Sequence, residues 1–90
     1  MREPEKGMFA RSLAGHDKGK WYLIQETDGQ YLYLTDGKSH PSDRPKKKKR
    51  MHVQPALQVS GEALEALALA QPRRDEIIRK LIREKQDKEE

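Results

Sequence analysis

From Gly7 to Thr35, apolar and polar residues alternate with a period of about two, and glycine-containing turns interrupt the pattern. Residues 8–13 (MFARSL) form the first run. Residues 14–19 (AGHDKG) follow, with Gly15 and Gly19 four apart and Asp17 between them, which predicts a tight excursion where positive φ carries no Cβ penalty. Residues 20–26 (KWYLIQE) are rich in strand-favouring side chains. An Asp28-Gly29 pair then suits the primed turn of a hairpin. In the third run, residues 31–35 (YLYLT), alternation puts Tyr31, Tyr33 and Thr35 on one face and Leu32 and Leu34 on the other. Asp36-Gly37 marks another turn. Residues 38–50 (KSHPSDRPKKKKR) hold two prolines, a five-residue basic run and no apolar anchor, and read as a solvated loop. Residues 51–54 can return as a short fourth strand, and β character is expected to end at Pro55.

The period changes beyond that point. Ser60 is placed to N-cap a helix over about 61–70, whose Ala, Leu and Glu all have high helix propensity. Gln71-Pro72 interrupts it, and a second helix is expected over 73–88. There Ile77, Ile78, Leu81 and Ile82 form one apolar stripe among charges, which has to be covered. Packing of that stripe on the rest of the chain is favoured over docking on a partner. The expected division is a flexible 1–6, a β domain over 7–55 and a helical 56–90.

Composition narrows the function. Only 33% of the 90 residues are hydrophobic and 38% are charged, so the core is modest. No apolar run approaches membrane-spanning length. With no cysteine there is neither a disulfide framework nor a thiolate metal site. The opening residues MREPEK lack the apolar stretch of a secretory signal, so a cytoplasmic protein is expected. Residues 1–55 carry 12 Lys/Arg against 7 Asp/Glu, whereas residues 56–90 carry 7 against 8, and all five aromatic residues lie in the basic part. That asymmetry suggests a polyanionic partner.

Catalysis finds little support. His16, His40 and His52 have no metal-binding spacing, no serine lies in a nucleophile elbow, and the glycines form no phosphate-binding loop before a helix. A non-catalytic protein without cofactor or metal is expected. Nucleic-acid binding is better served. Lys46, Lys47, Lys48, Lys49 and Arg50, with Arg44 just before them, offer phosphate contacts that gain affinity by counterion release. In the glycine excursion, Gly15 and Gly19 allow backbone amides to approach a phosphate while Arg11, His16, Lys18 and Lys20 supply donors. Trp21, Tyr22, Tyr31 and Tyr33 lie on adjacent paired strands, where one tyrosine face offers stacking on bases, although such aromatics more often fill a small barrel.

The segment GMFARSLAGHDKGK at 7–20, an apolar strand and DGQYLYL at 28–34 together resemble a KOW motif. They are most similar to the KOW module of eukaryote-type large-subunit ribosomal proteins, the fourteen-e, six-e and twenty-seven-e group. The basic segment 46–50 and residues 52–55 (HVQP) complete the pattern, which covers about half of the chain. The resemblance implies a mainly β fold, a small SH3-like β-barrel, here with an α-helical C-terminal extension. It also implies binding of structured RNA, typically ribosomal RNA, through the glycine turn and the basic segment, with His52 extending the contact. Two positions depart from the pattern: Trp21-Tyr22 stand where smaller aliphatic residues are usual, and Arg11 where Val is frequent. The helices have no counterpart in the resemblance. The alternative is a protein-interaction module that uses the SH3-like barrel and the C-terminal amphipathic helix, with residues 73–88 contacting a ribosomal or translation-factor protein.

Overall fold

The run Trp21-Tyr22-Leu23-Ile24 is apolar at every position because both faces of its strand are covered. In the computed structural model, which describes residues 3–89, this strand is the centre of a five-stranded antiparallel sheet. The strands are β1 (Met8–Ser12), β2 (Trp21–Asp28), β3 (Tyr31–Thr35), β4 (Lys46–Lys49) and β5 (Val53–Val59), in the spatial order β4-β3-β2-β1-β5. Alternation sends Tyr22 and Ile24 to one side, where Met8, Ala10, Leu32, Leu34 and Val53 join them in the barrel core. It sends Trp21 and Leu23 to the other side, beneath α1 (Gly61–Leu67) and α2 (Arg73–Lys88). The result is a small SH3-like barrel with a helical extension packed on its outside. The aromatic pair at Trp21-Tyr22 thereby has a cause: Tyr22 fills the barrel and Trp21 lies under a helix that a bare barrel would lack.

The second helix forms over the expected 73–88, whereas the first, expected to about 70, ends at Leu67. Ser60 Oγ accepts from the Ala63 amide at 3.2 Å, which satisfies one of the unpaired donors of the first turn. Ile78, Leu81 and Ile82 of α2 are buried against Leu23, Ala63 and Ala66, with Phe9 and Trp21 at the margin. Each such side chain contributes about 1.5–3 kcal/mol on burial, so the stripe is satisfied inside the chain.

Three local expectations need correction. Residues 38–50 are not one solvated loop, because 46–49 form an edge strand whose backbone pairs with β3: Tyr31 with Lys49, Leu32 with Lys48, Tyr33 with Lys47, Leu34 with Lys46. A row of lysines is compatible with an edge, where charge discourages pairing with another chain. Residues 36–44 are also not free in solvent. Ser42 accepts from Arg74 Nε at 2.7 Å and Gln71 Nε2 at 3.0 Å, its amide donates to Asp75, and Arg79 donates to the Gly37 carbonyl at 2.7 Å. These bonds strap the β3–β4 connection to α2. Gly37, at φ +73°, makes the approach feasible, since a Cβ there would stand 2.7 Å from the Asp75 carbonyl.

The third correction concerns β5, which runs on past Pro55 to Val59 after a single 3₁₀ turn at Arg50–His52. Proline is accommodated because β5 is an edge strand. The β1–β5 register shifts between Met8 and Ala10, and Leu57 takes φ +57° within that irregularity. Of the 1–6 segment expected to be flexible, residues 1 and 2 lie outside the described residues. Glu5 there accepts from the Met8 amide at 3.1 Å, and Glu3 pairs with Arg50 at 3.4 Å.

Candidate nucleic-acid interface

The glycine turn closes through its backbone: the Gly19 amide donates to the Ser12 carbonyl at 2.8 Å and the Lys20 amide to the Asp17 carbonyl at 2.9 Å. Gly15 and Gly19 sit at φ +89° and +87°, where L side chains are strained. This geometry turns the Asp17 side chain inward, over the end of the barrel. Its carboxylate accepts from Ser12 Oγ and from the Tyr22 hydroxyl, both at 2.8 Å. Lys46 and Lys48 each place an ammonium 3.0 Å from it. Lys48 also donates to the Ala14 carbonyl at 2.9 Å, so β4 is tied to the turn that follows β1.

Burial alone would raise the Asp17 carboxyl, but the bonds from Lys48, Tyr22, Lys46 and Ser12 outweigh it and hold the group well below the usual carboxylate range. Tyr22 moves the opposite way, pushed up by burial and then by its bond to Asp17. The polar end of this core tyrosine is thereby satisfied.

The lysine run therefore has two faces. Lys46 and Lys48 point inward and are neutralised in part by one carboxylate. Lys47 and Lys49 are exposed and stand on the outer face with Tyr31 and Tyr33, their register partners. Lys47 Nζ lies 4.4 Å from the centroid of the Tyr31 ring, a cation–π contact. Glu26 and Asp28 of β2 pair with Tyr33 and Tyr31 on the far side, which confines the basic strip to the β4 edge. Tyr31 and Tyr33 are half-buried, whereas Thr35, on the same face, is covered by the β3–β4 connection and donates to the His40 carbonyl at 2.7 Å.

The remaining candidates separate. Arg11, His16 and Lys18 are exposed at the glycine turn and Arg44 on the connection before β4, and none forms an ion pair among the described residues. Lys20 pairs with Asp36 at 3.0 Å. Arg50 donates to the Gly29 carbonyl at 3.4 Å in addition to its contact with Glu3. His52 is half-buried, and its carbonyl accepts from the Leu13 amide at 2.8 Å. Tyr22 and Trp21 do not join the tyrosine face, since one is in the barrel core and the other lies against α2 with Lys85 Nζ 5.3 Å from its ring centroid. Among the described residues, no group of three or more His, Asp or Glu side chains could hold a metal ion, and no helix is long and apolar enough to cross a membrane.

Sequence reasoning missed Asp17 as the hub. Two signals pointed to it: a tyrosine at an inward strand position needs a polar partner for its hydroxyl, and strand alternation through KKKK must send two ammonium groups inward.

No family model matches this chain, and no curated protein does. Among solved structures, it is similar to a chain in a crystal structure of an MjSpt4:Spt5 complex, with a TM-score of 0.56 at 18% identity. The match covers 67% of this chain and 42% of that one, so the present chain corresponds to less than half of its solved neighbour. At this identity the likeness speaks to fold, and with the glycine turn, strand order and register it defines a KOW-like SH3 barrel carrying a helical extension.

Proposed function

We propose that this chain is a non-catalytic RNA-binding module that contacts phosphates through the outer half of its lysine strand and the exposed donors of its glycine turn. The observation that carries this reading is the set of cations left over once internal pairing is complete. Lys47, Lys49, Arg44, Lys18 and Arg11 have no carboxylate partner among the described residues, and Tyr31 and Tyr33 lie beside the first two. Backbone contacts of this kind position the protein and carry little sequence information. The resemblance to ribosomal KOW modules supports structured ribosomal RNA as the target, in a cytoplasmic setting, with Lys46 and Lys48 supporting the strand rather than touching phosphate.

The test is a titration with structured RNA over a range of salt, read by anisotropy of the labelled RNA. Lys47→Gln combined with Lys49→Gln is expected to weaken binding and to make the salt slope shallower by about two. Binding unchanged by that pair, or absent in the parent chain, overturns the reading. The second reading, a protein-interaction module, draws on the solved neighbour's being a complex of two proteins. Since the apolar stripe of α2 is buried internally, such a contact would use the polar face of 73–88. Co-migration with a protein that survives RNase and high salt would favour it.

A further inference from the structure

The helical extension walls a groove of about 960 Å³ along the side of the barrel. Arg79, Ile82, Arg83 and Gln86 line it from α2 at spacings of i, i+3, i+4 and i+7, a single helix face. Opposite them stand Lys20 and Trp21 at the start of β2 and residues 36–39 of the β3–β4 connection.

The charge of this groove is lopsided. Its cations are Lys20, Lys38, Arg79 and Arg83, and its carboxylates are Asp36 and Asp75. Both carboxylates are already satisfied. Asp36 accepts from the Lys38 and His40 amides at 2.9 Å and pairs with Lys20, while Asp75 accepts from Gln71 at 2.7 Å and from the Ser42 amide. Arg79 uses one N–H on the Gly37 carbonyl. Lys38 and Arg83 are exposed and form no hydrogen bond or ion pair through their side chains among the described residues. Trp21 and Gln86 also border the next hollow, together with Arg11, Gly19, Asp87 and Glu89, so the groove meets the glycine turn across a more acidic stretch.

We propose that this groove is a second nucleic-acid site, which takes a single-stranded RNA segment with phosphates on Lys38, Arg79 and Arg83 and a base against Trp21. Guanidinium forks match phosphate oxygens, and Trp21, half-buried with Lys85 over its ring, still borders the groove with the rest of its aromatic surface. The lining runs over two turns of α2, from Arg79 to Gln86, which suits a chain rather than a single small molecule. An acidic peptide would satisfy the arginines but would leave the indole without a stacking partner. The inference rests on the RNA-binding reading above and gives the helices a role within it.

Trp21 is the single tryptophan and borders both this groove and the hollow at the glycine turn, so its response is assigned to the groove by comparison with a variant of Lys38 and Arg83, which line the groove and not that hollow. The full chain is titrated at low salt with oligouridylate of about 12 nucleotides, within the usual site size of small single-strand binders, and in parallel with polyglutamate. Oligouridylate is expected to quench Trp21. Lys38→Gln with Arg83→Gln, which removes no bond within the chain, is expected to weaken that binding about tenfold and to lower the salt slope by about 1.4. If structured RNA binds but Trp21 does not respond, or the double variant titrates like the parent, the groove site is overturned and the outer lysine face stands. If polyglutamate quenches as tightly as oligouridylate, the assigned ligand class is wrong. If no RNA of either kind binds, both readings fall together.

Discussion

The Asp17 carboxylate and the Lys48 ammonium meet at 3.0 Å although 31 residues separate them. Both are nearly buried, with side-chain exposures of 10% and 12%. This contact joins the glycine turn to the edge strand and spans the end of the barrel between strands that do not pair. It also divides the lysine run into a half paired with an internal carboxylate and a half without a carboxylate partner among the described residues.

Replacing Asp17 by Asn leaves Lys48 with little solvent and no counter-charge. The expected destabilisation is about 2 kcal/mol, below the range for fully buried pairs because both lysines keep some access to solvent. Urea unfolding checks this, and Lys47→Gln, on the outer face, is the matched control expected to change stability by less than about 0.5 kcal/mol.

Acid should unfold the protein through its carboxylates. Asp17, Asp36 and Asp75 all lie below the ordinary value of 3.8 in the folded state: burial raises each, but hydrogen bonds and neighbouring cations outweigh it. Because the folded value is the lower one, the stabilisation is complete above the ordinary value and is lost as pH falls below about 4. Thermal midpoints measured from pH 7 to pH 2 should be flat and then drop, and Asp17→Asn should make the drop less steep.

The Tyr22 hydroxyl is held protonated by burial and by Asp17, so its contribution is present below its ordinary value of 10.0 and is lost at higher pH. Tyr22→Phe keeps the ring but removes a donor to a nearly buried carboxylate. A loss of about 1–2 kcal/mol is expected, together with a smaller change in stability between pH 9 and pH 11.

Gly37→Ala should loosen the join between barrel and extension. The residue takes positive φ, and an added Cβ would meet the backbone of α2. A cost of about 2 kcal/mol is expected from strain and displacement together. Hydrogen exchange should show the added opening in residues 36–44 and the first turn of α2 rather than in β1 or β2.

Ile78→Asp should expose the face of β2 that carries Trp21 and Leu23. Burying an unpaired carboxylate there costs about 3–5 kcal/mol or opens the helix outward. Tryptophan emission should shift to longer wavelength, because α2 is what excludes water from that side of the sheet.

Much of this protein follows from local rules. The turns at Asp28-Gly29 and around Gly15 and Gly19, the alternation in 31–35, the Ser60 cap and the stripe of α2 each depend on neighbours a few residues away, and each can be read along the chain. The basic segment was visible as charge but not as structure, because whether four lysines form a strand depends on an unpaired β3 edge 12 to 18 residues distant. The same holds for Asp17: its partners Tyr22, Lys46 and Lys48 converge only when the barrel closes. The strap from Ser42 to Gln71, Arg74 and Asp75, and the groove beside it, need the helices placed on the outer face of β2. Residue type and spacing decide local conformation, but which charges neutralise one another and which stay available to a partner is decided by long-range register.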